Sequence, residues 1–299
     1  MRFGDEPEST NFTDDTGRGG MGFGGGGFGG GGLGCLLPLI ASRFGIGGVV
    51  VLVIGYFLLS SLGGGLSGGG GGGIAPTQQV GAPSGQSNLD PTTRHFTLQV
   101  LHSTETTWAR LLQPKGIQYT PTNLHFYSES DASGCGAAQS AMGPFYCPTD
   151  KNIYLDTEFF SELSRRFQAP GDFAQAYVVA HEVGHHVQDL LGTLDQAHNL
   201  QARSSETEGN AIQVKVELQA DCYAGVWAKN AKDPQGQPVM EPGDFEEGMR
   251  AAEAIGDDTL QKQAQGRVVP DSFTHGSSAQ RMAALQRGYS TGNPSACAF

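Results

Sequence analysis

Apolar positions along the chain fall into three regimes. Residues 1–43 carry few, and Phe3, Phe12, Phe23 and Phe28 stand in charged and then glycine-rich surroundings. From Phe44 to Leu62 no charge interrupts an apolar run, and these nineteen residues as a helix span about 28 Å, close to the hydrocarbon thickness of a bilayer. Beyond residue 93 the pattern becomes that of a globular body. Phe96, Val100, Leu101, Trp108, Leu111 and Leu112 recur at helical spacing and predict a helix over 94–112 that Pro114 stops. Alternation predicts strands over 123–129 and 152–156. Helices are predicted near 156–167, 172–191, 206–231, 242–264 and 277–288, the third opening on a capping box, Ser205-Glu206-Thr207-Glu208. Leading strands, following helices and one core predict a mostly helical α+β domain with a small sheet.

Composition sharpens the boundaries. Of 46 glycines, 27 fall within residues 1–73, so the excess marks a segment and not the whole chain. Glycine loses the most backbone entropy on ordering, and scattered phenylalanines bury too little to offset it. The expected organisation is a disordered Gly-rich tail over 1–43, a transmembrane helix over 44–62, a flexible linker over 63–92 and the domain over 93–299. A buried core helix and a cleavable signal peptide are the alternatives for 44–62. The first lacks anything to pack against, and the second would start unusually far from the N-terminus. Arg2, Arg18 and Arg43 precede the span, and no Lys or Arg follows it until Arg94. By the positive-inside rule the N-terminus is cytoplasmic and the domain periplasmic or extracellular, held by a single-pass membrane anchor. The net charge of −12 argues against a nucleic-acid partner.

Cysteine spacing adds a compartment argument. Cys135 and Cys147 flank a loop rich in Gly, Ala and Ser that a disulfide would close, which requires an oxidising compartment. Cys222 and Cys297 form a candidate second pair, with a buried free thiol as the alternative reading of Cys222. No Cys-x-x-Cys spacing suggests a cysteine-built zinc site.

The chemistry concentrates in Ala180-His181-Glu182-Val183-Gly184-His185-His186. On a helix, residues i and i+4 share a face, so His181 and His185 can offer ring nitrogens to one ion. Glu182, one step round, is placed to accept a proton from a water at that ion. His186 points elsewhere and is expected to face solvent or support the ligands. Catalytic zinc needs a third protein ligand, and the candidate is Glu217, with Asp221 one turn on accepting the second ring N–H of His181. Two acids at this spacing more often mark a solvated face. Here the flanks Ile212, Val214, Val216, Leu218, Ala220, Tyr223 and Ala224 make the helix a buried one, where unpaired acids would be costly.

This combination resembles the Glu-ligated zinc metallopeptidases, the gluzincins. More closely, it is similar to the neutral zinc metallopeptidase family of bacterial membrane-anchored proteins, over residues 93–290. The resemblance includes the Cys135-Gly136 to Cys147-Pro148 loop, Tyr154-Leu155-Asp156 and Phe273-Thr274-His275-Gly276-Ser277-Ser278-x-x-Arg281. It implies a zincin-like fold, one catalytic Zn²⁺ and a polypeptide substrate, with Glu182 moving the proton of a zinc-polarised water to the leaving amine. It also implies His275 as the donor to the tetrahedral intermediate, although a loop or cap histidine is an equal reading; Tyr223 and Arg281 are weaker candidates. The strand at 152–156 is the expected edge for pairing with an extended substrate. The competing function is a zinc-stabilised, non-catalytic binding or scaffold domain at the cell surface. Glu182 weighs against it, since a structural zinc site needs no neighbouring base.

Overall fold

A computed structural model of the protein describes residues 1–17, 87–156 and 158–299. The expected transmembrane helix at 44–62, most of the linker and Cys35 lie outside the described residues. Among the described residues, no helix is long and apolar enough to cross a membrane.

A four-stranded sheet lies at one side of a helical body. Its order is β1 (Phe12–Asp14), β2 (Asn123–Tyr127), β6 (Asn152–Asp156) and β5 (Phe145–Cys147); the first three run parallel and β5 is antiparallel to β6. Leu124, Phe126, Ile153 and Leu155 are buried in the core that the helices complete. A separate hairpin of β3 (Ser130–Ser133) and β4 (Gly136–Gln139) precedes β5, and the Cys135–Cys147 disulfide joins its turn to that strand.

Eight helices follow the chain among the described residues: α1 (Pro91–Leu112), α2 (Phe159–Arg165), α3 (Asp172–Leu190), α4 (Thr193–Gln201), α5 (Glu206–Asn230), α6 (Asp244–Ala254), α7 (Asp257–Gln265) and α8 (Ser278–Thr291). The capping box at Ser205 is formed, Ser205 and Glu208 satisfying each other's backbone N–H groups. The predicted helix over 242–264 is two, α6 and α7. At their junction a Cβ on Gly256 would stand 2.3 Å from the backbone nitrogen of Ser278, so α8's first turn occupies the space a side chain would need. α4 escapes sequence patterning because Ala197 is its one buried residue.

Helix α5 is the spine. α3 packs on one face of it and α8 on another, and the α5–α8 crossing is a backbone contact. A Cβ on Gly288 would lie 1.9 Å from the carbonyl oxygen of Cys222, and one on Gly225 would lie 2.2 Å from that of Leu285. The Cys222–Cys297 disulfide ties the C-terminal end of the chain to the same turn of α5. Both candidate cysteine pairs are therefore formed.

The N-terminal expectation is corrected. Residues 1–17 are not a tail: β1 pairs in parallel with β2 in the register Thr13↔His125, and Ser9 N–H donates to Leu98 O at 3.0 Å. Phe3 is 4% exposed, edge-on to Phe96. Residues 87–92 are likewise part of the body. Asp90 caps α1 by accepting from Thr93 N–H at 2.8 Å, Pro91 fills its first turn, and Leu89 is buried. This packing bears on the single-pass expectation. Residues 1–17 and 87–299 form one body and so stand on one side of any membrane, which a single crossing between them, with the N-terminus on the opposite side, does not allow.

Candidate metal centre

Tyr177, Val179, Ala180, Val183 and Val187 bury α3 deep in the body, and its turn around His181 faces α5. Gly184 sets the approach. A Cβ there would meet the carbonyl oxygen of Ala220 at 2.9 Å and its Cα at 3.1 Å, so the two backbones nearly touch between the ligand positions.

This closeness brings His181, His185 and Glu217 together. His181 Nε2 lies 3.1 Å from His185 Nε2 and 3.2 Å from Glu217 Oε2, and His185 Nε2 lies 3.5 Å from the same oxygen. A tetrahedral ion with ligands at about 2.0–2.1 Å has ligand–ligand edges of roughly 3.3–3.4 Å, so the triangle has the size zinc requires.

The surrounding hydrogen bonds fix which atoms carry protons. Asp221, fully buried, takes His181 Nδ1–H at 2.7 Å, as the sequence predicts. Gln188 spends its amide N–H groups on Val216 O and Gln219 Oε1, so its oxygen must accept His185 Nδ1–H at 2.8 Å. Gln213 donates to Glu217 Oε1 at 2.9 Å, leaving Oε2 for the triangle. Both Nε2 atoms then direct lone pairs at one carboxylate oxygen. Only a cation between them makes that arrangement favourable. With no metal, the cation is a proton. Burial disfavours charge on His181, but Asp221 and Glu217 outweigh it and raise its pKa to about 10. Burial likewise opposes the ionised form of Glu217, yet His185, His181 and His275 hold its pKa well below the usual carboxylate range.

Asp221 has a second partner that the sequence reading assigned elsewhere. Arg281, on α8 and 4% exposed, grips it through Nε at 2.8 Å and Nη2 at 2.9 Å, and Tyr177 donates to it at 2.5 Å. Burial raises the Asp221 pKa, but Arg281 and His181 overcome that and depress it. Arg281 is thus committed to orienting a ligand and is not the free donor considered from sequence. Tyr223, the other candidate, packs its ring edge-on against Trp108 at 5.2 Å. The signal for Arg281 was absent because sixty residues and two helices separate it from Asp221.

His275 sits where the chain enters α8. Asp257 accepts its backbone N–H at 2.7 Å and its Nδ1–H at 3.2 Å. Burial lowers its pKa, while Asp257 and Glu217 raise it to a net upward shift, so its charge is within reach of the ligand set. Glu182 is 7% exposed, and its side chain makes no hydrogen bond among the described residues.

Two further expectations are corrected. His186 is not solvent-facing; it is 1% exposed, donates Nε2–H to Thr120 O at 2.6 Å and lies 3.2 Å from the Tyr146 hydroxyl, tying α3 to β5. Strand β6 is not the sheet edge. It lies between β2 and β5, so among the described residues β5 is the edge on this side.

The whole chain, residues 1–299, matches the family model described as "Putative neutral zinc metallopeptidase". The chain belongs to that family. Among curated relatives, the uncharacterized Escherichia coli protein YpfJ is 45% identical over 249 residues, 83% of each chain. The uncharacterized Mycobacterium tuberculosis protein Rv2575 is 44% identical over 204 residues, 66% of this chain and 67% of its own. No solved structure matches. Membership in a zinc metallopeptidase family agrees with the three-ligand geometry of His181, His185 and Glu217.

Proposed function

We propose that the protein is a zinc-dependent peptidase that hydrolyses peptide bonds of a polypeptide outside the cytoplasm. The observation that carries this is the pairing of a three-ligand zinc triangle with a buried, uncommitted carboxylate, Glu182, on the same helix turn. Zinc, when bound, supplies the Lewis acid that polarises water and the scissile carbonyl. Glu182 accepts the proton of the attacking water and delivers it to the leaving amine nitrogen. His275, held on Asp257 through Nδ1 and kept charged by the neighbouring carboxylates, donates Nε2–H to the carbonyl oxygen as negative charge develops there. The edge of β5 supports alignment of an extended substrate by main-chain pairing, with Phe145 and Tyr146 beside the site helix.

Location belongs to the same reading. Two disulfides fit an oxidising compartment, and the apolar run over 44–62 fits attachment to a membrane. Because residues 1–17 pack with the body, the attachment proposed leaves both chain parts on the outer side. Thr10 and Ser290 are both exposed, one in each part. Thr10→Cys and Ser290→Cys, placed singly in a chain lacking Cys35, should then both react with a membrane-impermeant maleimide on intact cells. Protection of the first alone would restore the single-pass arrangement.

The decisive test of activity is Glu182→Gln in the full chain. It should keep one zinc at His181, His185 and Glu217 while hydrolysis of casein falls at least a hundredfold. Equal hydrolysis in the variant removes Glu182 as the base. Zinc binding with no hydrolysis by the unaltered protein favours the scaffold reading.

A further inference from the structure

A second group of side chains of metal-ligating type stands on the face of the sheet opposite the buried Leu124 and Phe126. His125 of β2 lies in register between Thr13 of β1 and Tyr154 of β6. Its ring stacks on Tyr154 at 4.9 Å and 24°, and Tyr154 stacks in turn on Phe145 at 5.1 Å. Tyr154 is itself held, donating its hydroxyl to Asp150 at 2.8 Å. The imidazole is therefore fixed in plane by an aromatic row across three strands.

Two carboxylates meet that ring from different parts of the chain. Asp15 follows β1 and is positioned by its own backbone, whose N–H donates to Phe126 O at 2.9 Å. Asp131, in β3, accepts Ala132 N–H on Oδ1 at 2.7 Å. Its other oxygen, Oδ2, is buried and has no hydrogen-bond partner among the described residues. A buried carboxylate oxygen with nothing to accept from is costly and points to a missing partner. The ligand atoms of Asp15, His125 and Asp131 all lie within 4.8 Å of one another, and all three residues are partly buried.

We propose that Asp15, His125 and Asp131 form a second, structural metal site that takes zinc. One imidazole nitrogen with two carboxylate oxygens suits a borderline divalent ion, whereas calcium takes only oxygen ligands. Ligand atoms that already lie within 4.8 Å of one another can close to the roughly 3.4 Å edges of a tetrahedral ion by side-chain rotation. Two carboxylates balance the ion's charge, and Asp131 Oδ2 gains its partner. The ion would join the N-terminal strap of residues 1–17, the sheet and the β3–β4 hairpin, adding to the β1–β2 pairing and the Cys135–Cys147 disulfide.

The test is zinc stoichiometry in the full chain after exposure to excess zinc and removal of loosely held ion. The expected content is two zinc per chain, falling to one in His125→Gln and one in Asp131→Asn. Both variants should keep casein hydrolysis, since neither touches the α3–α5 site. Glu217→Ala should also retain one zinc, now at the strap, and its zinc-dependent rise in melting temperature should vanish when Asp131→Asn is added. One zinc in the unaltered protein that Glu217→Ala removes would overturn the second site and leave the peptidase centre standing. One zinc that Glu217→Ala keeps and His125→Gln removes would uphold the second site and overturn the centre. Two zinc in both strap variants would place the second ion elsewhere and overturn the proposal.

Discussion

The carbonyl oxygen of Ala220 stands 2.9 Å from where a Cβ on Gly184 would be. A backbone oxygen cannot turn aside as a side-chain end can, so a methyl group at this crossing pushes α3 off α5. The crossing also sets the separation between the two histidines and Glu217. Gly184→Ala should therefore retain its helical content, lose about 1–3 kcal/mol of stability to overpacking and bind zinc at least tenfold more weakly. A chelator competition and a circular dichroism spectrum check both halves. Unchanged zinc affinity would mean that the ligand triangle tolerates a wider crossing.

Asp221 serves His181 and Arg281 at once. Asp221→Asn keeps a hydrogen-bond acceptor for the imidazole but strips the buried guanidinium of its counter-charge. Zinc affinity should fall roughly 10–100-fold, and unfolding free energy should drop by about 3–5 kcal/mol, measured by denaturant titration. Loss of stability with zinc affinity intact would make Asp221 a partner of α8 alone.

Proton release should accompany zinc uptake. The His181 pKa is raised to about 10 in the metal-free protein, and its Nδ1 proton is already given to Asp221. The extra proton thus sits on Nε2, where the metal must bind. A raised pKa stabilises the metal-free fold fully below the unfolded value near 6.5, and that contribution is lost as pH climbs through about 10. Zinc at neutral pH therefore displaces about one proton, and its apparent affinity rises with pH between about 7 and 9. Calorimetry in buffers of different ionisation enthalpy measures the number. Uptake without release would place the proton elsewhere.

Phe3 probes the strap. A tail residue would tolerate truncation, whereas this ring is buried against Phe96 at 5.8 Å. Phe3→Ala should lower stability by about 3–5 kcal/mol in the full chain. A melting temperature within a degree of the unaltered protein would detach residues 1–17 from the body.

Much of the centre was legible because its signals are local. The His181–His185 and Glu217–Asp221 pairs each lie one helical turn apart, so spacing put each pair on one face, and the apolar flanks made that face a buried one. Arg281 and the edge position of β5 were not, since both depend on which elements end up side by side. The strap failed for another reason. β1 is three residues long, too short for alternation to register, and the glycine run that follows it masked the change from ordered to glycine-rich chain. His186 shows the same limit in miniature: nothing in its own helix foretells Thr120 and Tyr146 closing over it.

The strap changes what the chain between residues 18 and 86 is. Asn88 donates both its backbone and its side-chain N–H to Thr16, each at 3.0 Å, so that stretch departs from and rejoins the body at one spot. It is an insertion in a closed fold and not a leash on a domain's end. Closure entropy rises only with the logarithm of length, about 0.6 kcal/mol for each doubling. Lengthening or trimming the glycine blocks should therefore leave the fold that builds the metal centre almost unchanged.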